Sequence, residues 1–158
     1  MSFTNIEFLH AAMRKAHEER LDAFNDGNPE GCSELYETDG VLRALPFSTF
    51  RGREEITSFW DRIISSGFGD VECLEPNLEI LDEKSVIFSA KWRANRVYGN
   101  VTKALWILQS DGSILLREEV IEFHGERIDF TKGGESSLDS NLMLSEHALP
   151  FSQEEKQQ

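Results

Sequence analysis

The chain has 158 residues, and its 16 basic against 29 acidic side chains give a formal net charge of −13. The length fits one domain, and a composition with 39% hydrophobic and 28% charged residues is typical of a globular protein rather than a disordered one. DNA, RNA and anionic membranes bind to cationic surfaces, so an acidic chain of this kind predicts no nucleic-acid partner and no membrane partner.

The chemistry-bearing residue types exclude several further classes. Cys32 and Cys73 are the two cysteines, and their wide spacing fits neither a disulfide-rich scaffold nor a cysteine zinc site. The four histidines form no metal-binding motif, and the glycines form no nucleotide-binding loop, so we expect no metal and no cofactor. The first residues lack the basic and apolar regions of a signal peptide, which favours a cytoplasmic protein.

The first half of the chain predicts three helices and one short strand. An apolar stripe of period 3.6 indicates a helix over about 5–25, and Pro29 suits the first turn of a short helix that runs to about residue 36. A strand is expected at 41–45. A third helix is expected over about 53–66, with its own apolar stripe of Ile56, Phe59, Trp60, Ile63 and Ile64.

After Gly69 the hydrophobic period changes to two, which predicts β-structure. We expect turns at the short polar separators Asp82-Glu83-Lys84, Gly99-Asn100 and Asp111-Gly112. They divide this part into four strands, at about 71–81, 85–97, 101–109 and 114–123. Helices and sheet each have one apolar face to bury, so the fold class is α+β, with a single mixed sheet packed over the helices.

The pattern decays from residue 126 onwards. Residues 132–137 have the composition of a linker, and residues 153–158 form a polar tail. The sequence therefore predicts a domain over 1–125 and a polar, partly ordered C-terminal extension over 126–158. A weak apolar cluster at 142–151 suggests that the extension docks on the domain or on a neighbouring subunit.

Alternation along two strands groups several aromatic residues on one face. One set is Phe88, Ala90, Trp92 and Ala94, and the other is Thr102, Ala104, Trp106 and Leu108. Trp60, on the third helix, is expected to meet the same face. Two interpretations are open: the tryptophans form an ordinary core, or they surround a small-molecule cavity in the space left by the alanines.

The last strand has charged residues on both of its faces. One face carries Leu115, Arg117, Glu119, Ile121 and Phe123, and the other carries Ile114, Leu116, Glu118, Val120 and Glu122. An inward Arg117–Glu119 pair would indicate a functional site, because buried ion pairs are costly. Alternatively, Glu118, Glu119 and Glu122 border a solvated surface. On the first helix, His17 and Arg20 lie at the edge of the apolar stripe, where they either remain at the surface or reach a pocket.

Three segments resemble the nuclear transport factor 2-like proteins. They are ELYETDGVL at 34–42, FRGREEITSFW at 50–60 and the Asp111-Gly112 turn, and the resemblance covers about 5–124. It implies a cone-shaped, cystatin-like α+β barrel, in which three N-terminal helices pack in the concave face of a curved mixed sheet. It also implies a homodimer through the convex face and a pocket between sheet and helices. Steroid isomerases, SnoaL-like polyketide cyclases, scytalone dehydratases, epoxide hydrolases and non-catalytic binding modules share this architecture.

The resemblance also shows where this chain departs from the steroid isomerases. The positions of their base, oxyanion-hole tyrosine and protonated aspartate fall near Ala44, Arg20 and Ala104, which argues against steroid isomerisation by that mechanism. The same register turns a set of residues toward the pocket, namely Leu42, Ala44, Thr102, Ala104, Arg117, Glu119 and Ile121.

These observations predict one site. Glu119 would be a catalytic proton acceptor, tuned by burial and by Arg117. The pocket would be lined by Arg20, Phe24, Leu42, Trp60, Phe88, Trp92, Thr102, Ala104, Trp106, Arg117 and Ile121. Arginine beside aromatic rings suits a carboxylate or enolate on a flat ligand. Two functions remain open: a cofactor-independent lyase, isomerase or hydrolase acting on a small, partly apolar molecule, or a non-catalytic module that binds a ligand or another protein.

Overall fold

A computed structural model describes residues 3–95 and 97–125 of the chain. Helix α1 spans Phe3–Asn25, α2 spans Pro29–Ser33, and α3 spans Gly52–Ser65. Asn28 caps α2, because its side-chain oxygen accepts a hydrogen bond from the Gly31 amide at 3.0 Å. All three helices predicted from the sequence are present, although α2 ends three residues earlier than expected.

Six strands form one sheet in the order β2-β1-β6-β5-β4-β3. All neighbouring strands pair antiparallel except β1 and β6, which are parallel, so the sheet is mixed as predicted. The sheet is curved and unclosed over the described part of the chain, which makes the architecture an open cone. The bounds of the strands are β1 Tyr36–Leu45, β2 Ser48–Arg51, β3 Glu72–Ile80, β4 Ser85–Arg93, β5 Val97–Leu108 and β6 Ile114–Gly125.

The strand predictions differ from the structure in the first hairpin. Strand β1 begins at Tyr36, five residues before the expected start, and β2 was not predicted. Strand β2 has only four residues and carries no clear alternation of apolar and polar side chains. It pairs with β1 at the edge of the sheet, as in the register of Leu42 with Phe50.

The expected turn at Gly99-Asn100 is also wrong, because both residues lie inside β5. The chain turns earlier, between Arg93 and Val97. A Cβ atom on Gly99 would lie 1.8 Å from the carbonyl oxygen of Glu122 on β6, so only glycine fits there. This glycine permits a close approach of two strands and does not mark a turn.

The core lies between the helices and one face of the sheet. Helix α1 contacts β3, β4 and β6, and α3 contacts β1 and β2. Buried side chains from both layers meet there, including Met13 of α1, Phe59 of α3 and Trp106 of β5. The predicted extension over 126–158 lies outside the described residues. Among the described helices, none is long and apolar enough to cross a membrane.

Candidate functional site

Glu119 is a buried carboxylate in the middle of the sheet. It belongs to β6, between β1 and β5, where its neighbours in register are Leu42 and Ala104. Both neighbours are fully buried apolar residues, and Glu119 itself is only 1% exposed. A carboxylate in such surroundings needs hydrogen-bond donors, because burial without them costs several kcal/mol, on the order of 3 to 5.

Arg20 and Tyr36 supply those donors. Arg20 Nη1 donates to Glu119 Oε2 at 2.8 Å, and Nη2 donates to Oε1 at 3.0 Å. The Tyr36 hydroxyl also donates to Oε1. The guanidinium carbon of Arg20 lies 5.6 Å from the centre of the Tyr36 ring and 5.9 Å from that of Trp60, within cation–π range. We call Arg20, Tyr36 and Glu119 the polar cluster.

The protonation states of the polar cluster follow from these contacts. Burial raises the pKa of Tyr36 well above its ordinary value, and the charge of Glu119 raises it further, so the phenol stays protonated. Burial alone would lower the pKa of Arg20, but the adjacent Glu119 carboxylate raises it beyond its usual value. The cluster is therefore one cation, one anion and one neutral donor, and its net charge is zero.

A β-bulge explains why Glu119 faces inward. Leu105 pairs with Glu118 and the next residue, Trp106, pairs with Leu116, so β6 has one extra residue at Arg117. The bulge reverses the side-chain alternation, and both Leu116 and Glu119 are buried. This reversal is the reason that neither face of the strand looked cleanly polar in the sequence.

The expectation that Arg117 lines the pocket is wrong for the same reason. The Arg117 side chain is 57% exposed on the other face of the sheet. It donates to Glu37 from Nε at 2.8 Å and from Nη2 at 3.1 Å. The arginine that neutralises Glu119 is Arg20 on α1, not Arg117.

Because of a second bulge, Thr102 faces away from the pocket and not into it as expected. The register shifts between Val101 and Lys103, so Thr102 is exposed, and its hydroxyl donates to the carbonyl of Val120 at 3.3 Å. Val101 faces inward instead and lines the cavity described next. Strict alternation, counted back from Ala104, therefore assigned Thr102 to the wrong face of the sheet.

A cavity lies between the helices and the inner face of the sheet. Its empty space, counted out to its open mouth and including open solvent, is about 710 Å³. The apolar lining from helices and loops is Leu21, Phe24, Trp60, Ile63, Phe68, Val71 and Ala94. The apolar lining from the strands is Phe88, Trp92, Val97, Val101, Ile121 and Phe123.

The polar part of the lining is small. Arg20 and Glu119 of the polar cluster lie in the wall, together with His17, Cys32 and Cys73. The half-buried lining residues are on α1, on β3 and beside these elements, so the mouth opens between α1 and the start of β3.

The remaining titratable groups in the wall are held in neutral forms. Burial and the positive charge of Arg20 lower the pKa of His17 to about 4, so its imidazole is neutral at pH 7. Burial raises the pKa of Cys32 to about 11 and raises that of Cys73, so both thiols stay protonated. Neither cysteine has the thiolate character of a nucleophile.

The structure brings together part of the predicted site. Seven of its residues line the cavity, namely Arg20, Phe24, Trp60, Phe88, Trp92, Glu119 and Ile121. Leu42, Ala104 and Trp106 are inward but belong to the packed core beside the cavity, each 1% exposed or less. Neighbouring side chains fill the space around these three, so the expected ring of three tryptophans is reduced to Trp60 and Trp92.

Sequence reasoning missed Tyr36 as a site residue. Tyr36 entered only as part of the family-like segment, although a buried phenol at the start of a strand needs a hydrogen-bond partner. A search for donors to an inward Glu119 could have found it. His17 was considered at the edge of the helix stripe but was not assigned to the pocket. Among the described residues, no three His, Cys, Asp or Glu side chains lie close enough together to hold a metal ion.

Comparisons with known proteins give a family and a set of structural neighbours. A model of the SnoaL-like domain matches residues 17–114, a range that contains α1 from His17 onward and most of the strands. A search of curated proteins finds no match. Many solved structures match the fold.

Three of these structures illustrate the kinds of protein that share the fold. A ketosteroid isomerase-like protein from Erwinia carotovora atroseptica has a TM-score of 0.64 at 15% identity, covering 73% of this chain and 96% of its own. A candidate scytalone dehydratase from Novosphingobium aromaticivorans has a TM-score of 0.67 at 11% identity, covering 81% and 92%. A protein from Catenulispora acidiphila in complex with S-DNPA has a TM-score of 0.59 at 16% identity, covering 73% and 92%. At these identities the likeness establishes the fold.

Proposed function

The chain belongs to the SnoaL-like domain family, and from this premise we propose that it binds a small, largely apolar molecule and catalyses a cofactor-independent proton transfer on it. The reaction is of the isomerase or dehydratase type. One observation carries this proposal: the charge-neutral Arg20–Glu119 pair, supported by Tyr36, lies in the wall of a mostly apolar cavity. Structural neighbours described as ketosteroid isomerase-like and as a candidate scytalone dehydratase support the reaction class.

The charge balance of the cluster favours a neutral ligand. Both terminal nitrogens of Arg20 already bind Glu119, which is 1% exposed. A ligand carboxylate would place a second negative charge beside the same guanidinium in a region of low dielectric, where like charges repel strongly. We therefore propose that the ligand is an uncharged molecule with an oxygen acceptor, instead of the carboxylate expected from the sequence.

Arg20 is the group that recognises this oxygen. A guanidinium has five N–H donors, and the contacts to Glu119 use two of them. No further hydrogen bond from Arg20 is made to the described residues, so three donors remain for a ligand. The same donors stabilise the negative charge that develops on a carbonyl oxygen when a proton leaves the adjacent carbon.

Glu119 holds Arg20 in position. The hypothesis from the sequence was that Glu119 accepts a proton from the substrate. Its two oxygens instead accept three hydrogen bonds, from Arg20 and from Tyr36. Because these bonds stabilise the ionised carboxylate and direct it toward Arg20, we propose Glu119 as a positioning residue.

The alternative function is ligand binding without catalysis. The neutral state of every titratable thiol and imidazole in the wall favours it, because none of these groups has a pKa near 7.

The homodimer implied by the family resemblance and the cytoplasmic location remain predictions. Light scattering after size-exclusion chromatography tests the dimer, and a strict monomer at micromolar concentration would contradict it.

The test of the proposed function uses matched compounds. Thermal-shift and tryptophan-fluorescence titrations compare neutral cyclic ketones, such as 1-tetralone, with aromatic carboxylic acids of equal size. We expect the ketones to raise Tm and to change the fluorescence of the two cavity tryptophans, and the acids to do neither. NMR in D2O then follows exchange of the protons on the carbon next to the carbonyl. Binding without accelerated exchange would support the alternative function, and preferential binding of the acids would contradict a neutral ligand.

A further inference from the structure

His17 lies in the cavity wall beside Arg20. The two residues are three positions apart on α1, and positions three apart on a helix lie on the same face, with Cβ atoms about 5 to 6 Å apart. Both side chains line the cavity near its mouth. A ligand whose oxygen binds Arg20 therefore has its neighbouring carbon atoms near His17.

The imidazole of His17 is held in place but is chemically unengaged. Its ring packs on Phe88, with 4.5 Å between the ring centres and 43° between the planes. No described residue forms a hydrogen bond with either ring nitrogen. A neutral imidazole has one nitrogen with a lone pair and one that carries a proton, so the ring can accept a proton at one position and donate at the other.

We propose that His17 is the catalytic proton acceptor of the cavity, acting on the carbon next to a substrate carbonyl that Arg20 holds. This inference rests on the proposed function and names the residue that carries out its proton transfer. The C–H bond breaks and the proton passes to the free ring nitrogen of His17. The electron pair forms a carbon–carbon double bond, and the carbonyl π pair moves to the oxygen, which becomes an enolate bound by Arg20.

The proton then returns from the imidazolium, and the balance closes without a co-reactant. In an isomerisation the proton goes to a different carbon of the conjugated system, and the carbonyl forms again. In a dehydration it goes to a hydroxyl group on the β-carbon. The enolate oxygen forms the carbonyl again, the carbon–carbon pair becomes a double bond between the α- and β-carbons, and the C–O bond breaks with its pair on the leaving water. Both outcomes use the same first step.

The other titratable groups that face this site are less suited to the role. Glu119 accepts three hydrogen bonds, and the Tyr36 hydroxyl is committed to Glu119. The thiols of Cys32 and Cys73 are protonated, and Arg20 is a cation. His17 is the one group of this set, within the described residues, that is both uncharged and free to take up a proton.

The positive charge of Arg20 makes the cavity stabilise the transition state more than the ground state. Burial and the charge of Arg20 both oppose a charged imidazole, which lowers the pKa of His17 to about 4. When the enolate forms, its negative charge lies between Arg20 and His17 and stabilises both cations. The imidazolium is therefore favoured only as the reaction proceeds, which is the differential binding that catalysis needs.

The experiment compares the full-length protein with His17→Gln. Binding of 1-tetralone is measured by fluorescence and its α-proton exchange by NMR in D2O. We expect His17→Gln to bind within about twofold of the wild type and to exchange at least about 100-fold more slowly, as for loss of a general base. His10→Gln, on the same helix but not in the cavity wall, is the matched control and keeps wild-type exchange.

The outcomes separate this inference from the proposed function. Wild-type exchange in a folded His17→Gln variant overturns the role of His17 and leaves the proposed function standing. Binding without exchange in the wild type overturns both the proton transfer and His17 as its acceptor. If His17→Gln fails to fold, wild-type protein labelled with 15N-histidine gives the answer. The ring-nitrogen shifts of His17 must then move when 1-tetralone binds, and unchanged shifts overturn the proposal.

Discussion

Arg117 and Glu119 lie two positions apart on one strand, yet they occupy opposite faces of the sheet. Glu119 is 1% exposed on the inner face, and the Arg117 side chain is 57% exposed on the outer face. The bulge at Arg117 reverses the alternation between them. One extra residue thus places two charges on opposite faces, although strict alternation would put them on the same face. Glu119 therefore pairs with Arg20 instead.

The first prediction concerns the stability of this buried pair. Glu119→Gln removes the negative charge and leaves Arg20 buried without compensation, which we expect to lower the free energy of unfolding by about 3 to 5 kcal/mol. Urea denaturation followed by circular dichroism measures the loss. Arg20→Met combined with Glu119→Met removes both charges and should restore part of the stability.

Glu118→Gln is the control on the same strand. Glu118 contacts Arg43 and Lys103 at the outer face, with 25% of its side chain exposed. Its substitution should cost no more than about 1 kcal/mol, as is usual for exposed ion pairs. Equal losses in Glu118→Gln and Glu119→Gln would contradict the buried character of the cluster.

The sequence predicted the elements well because their signals are local and repeated. The stripe of α3 and the alternation of β4 each involve several residues, and one exception does not obscure them. A bulge adds a single residue, and no characteristic residue type marks the bulges here. The faces of β5 and β6 could therefore not be assigned by alternation. The contact of Arg20 with Glu119 spans 99 positions, and only the packing of α1 on the sheet establishes it.

The second prediction separates the two arginines. Arg117→Ala removes a surface pair with Glu37 and should leave ketone binding unchanged within about twofold, because Arg117 lies outside the cavity. Arg20→Met removes the donors to the ligand oxygen and should weaken binding about tenfold or more, as expected for loss of a hydrogen bond to a charged group. Fluorescence titration gives both values, and a larger effect of Arg117→Ala would contradict the outward position.

Because Arg20→Met also leaves Glu119 unpaired, folding must be checked separately. Arg20→Lys keeps the charge but loses the planar pair of donors. Near-ultraviolet circular dichroism and the urea midpoint of each variant identify losses of binding that come from unfolding alone.

The third prediction concerns Trp92 as a wall of the cavity. Trp92 is 7% exposed and lies 5.2 Å from the ring of Phe123. Trp92→Ala removes a large apolar surface from the ligand and should weaken binding of an apolar ketone by about tenfold or more. Tyr98→Ala is the control, since Tyr98 is 55% exposed and does not line the cavity. Equal affinities in the two variants would place the ligand elsewhere.

The fourth prediction uses Cys73 as a reporter of occupancy. Cys73 lines the cavity and is half-buried, whereas Cys32 is only 2% exposed. Burial raises the pKa of the Cys73 thiol, so a maleimide should react with it more slowly than with a free thiol at pH 7. A bound ketone should slow the reaction further. Mass spectrometry measures the labelling, Cys73→Ser identifies the site, and labelling that a saturating ligand does not change would contradict a shared cavity.

The fifth prediction is a dependence of stability on pH that comes from His17. Its pKa is about 4 in the folded protein and 6.5 in the unfolded chain, so between these values the unfolded chain binds the proton and the folded protein does not. The stability from this residue is therefore complete above pH 6.5, is lost progressively toward pH 4, and changes little below it. The full loss is at most about 3.5 kcal/mol, since the two pKa values differ by about 2.5 and each unit corresponds to about 1.4 kcal/mol.

Urea denaturation at several pH values between 7.5 and 4 isolates this contribution when the wild type is compared with His17→Gln. Glutamine does not titrate, so the wild type should lose more stability on acidification, with the excess appearing between pH 6.5 and 4. His10→Gln retains His17 and should follow the wild type. Parallel curves for the wild type and His17→Gln would mean that the imidazole is as easily protonated in the folded protein as in the unfolded chain, and His17 could then not be the neutral group beside Arg20.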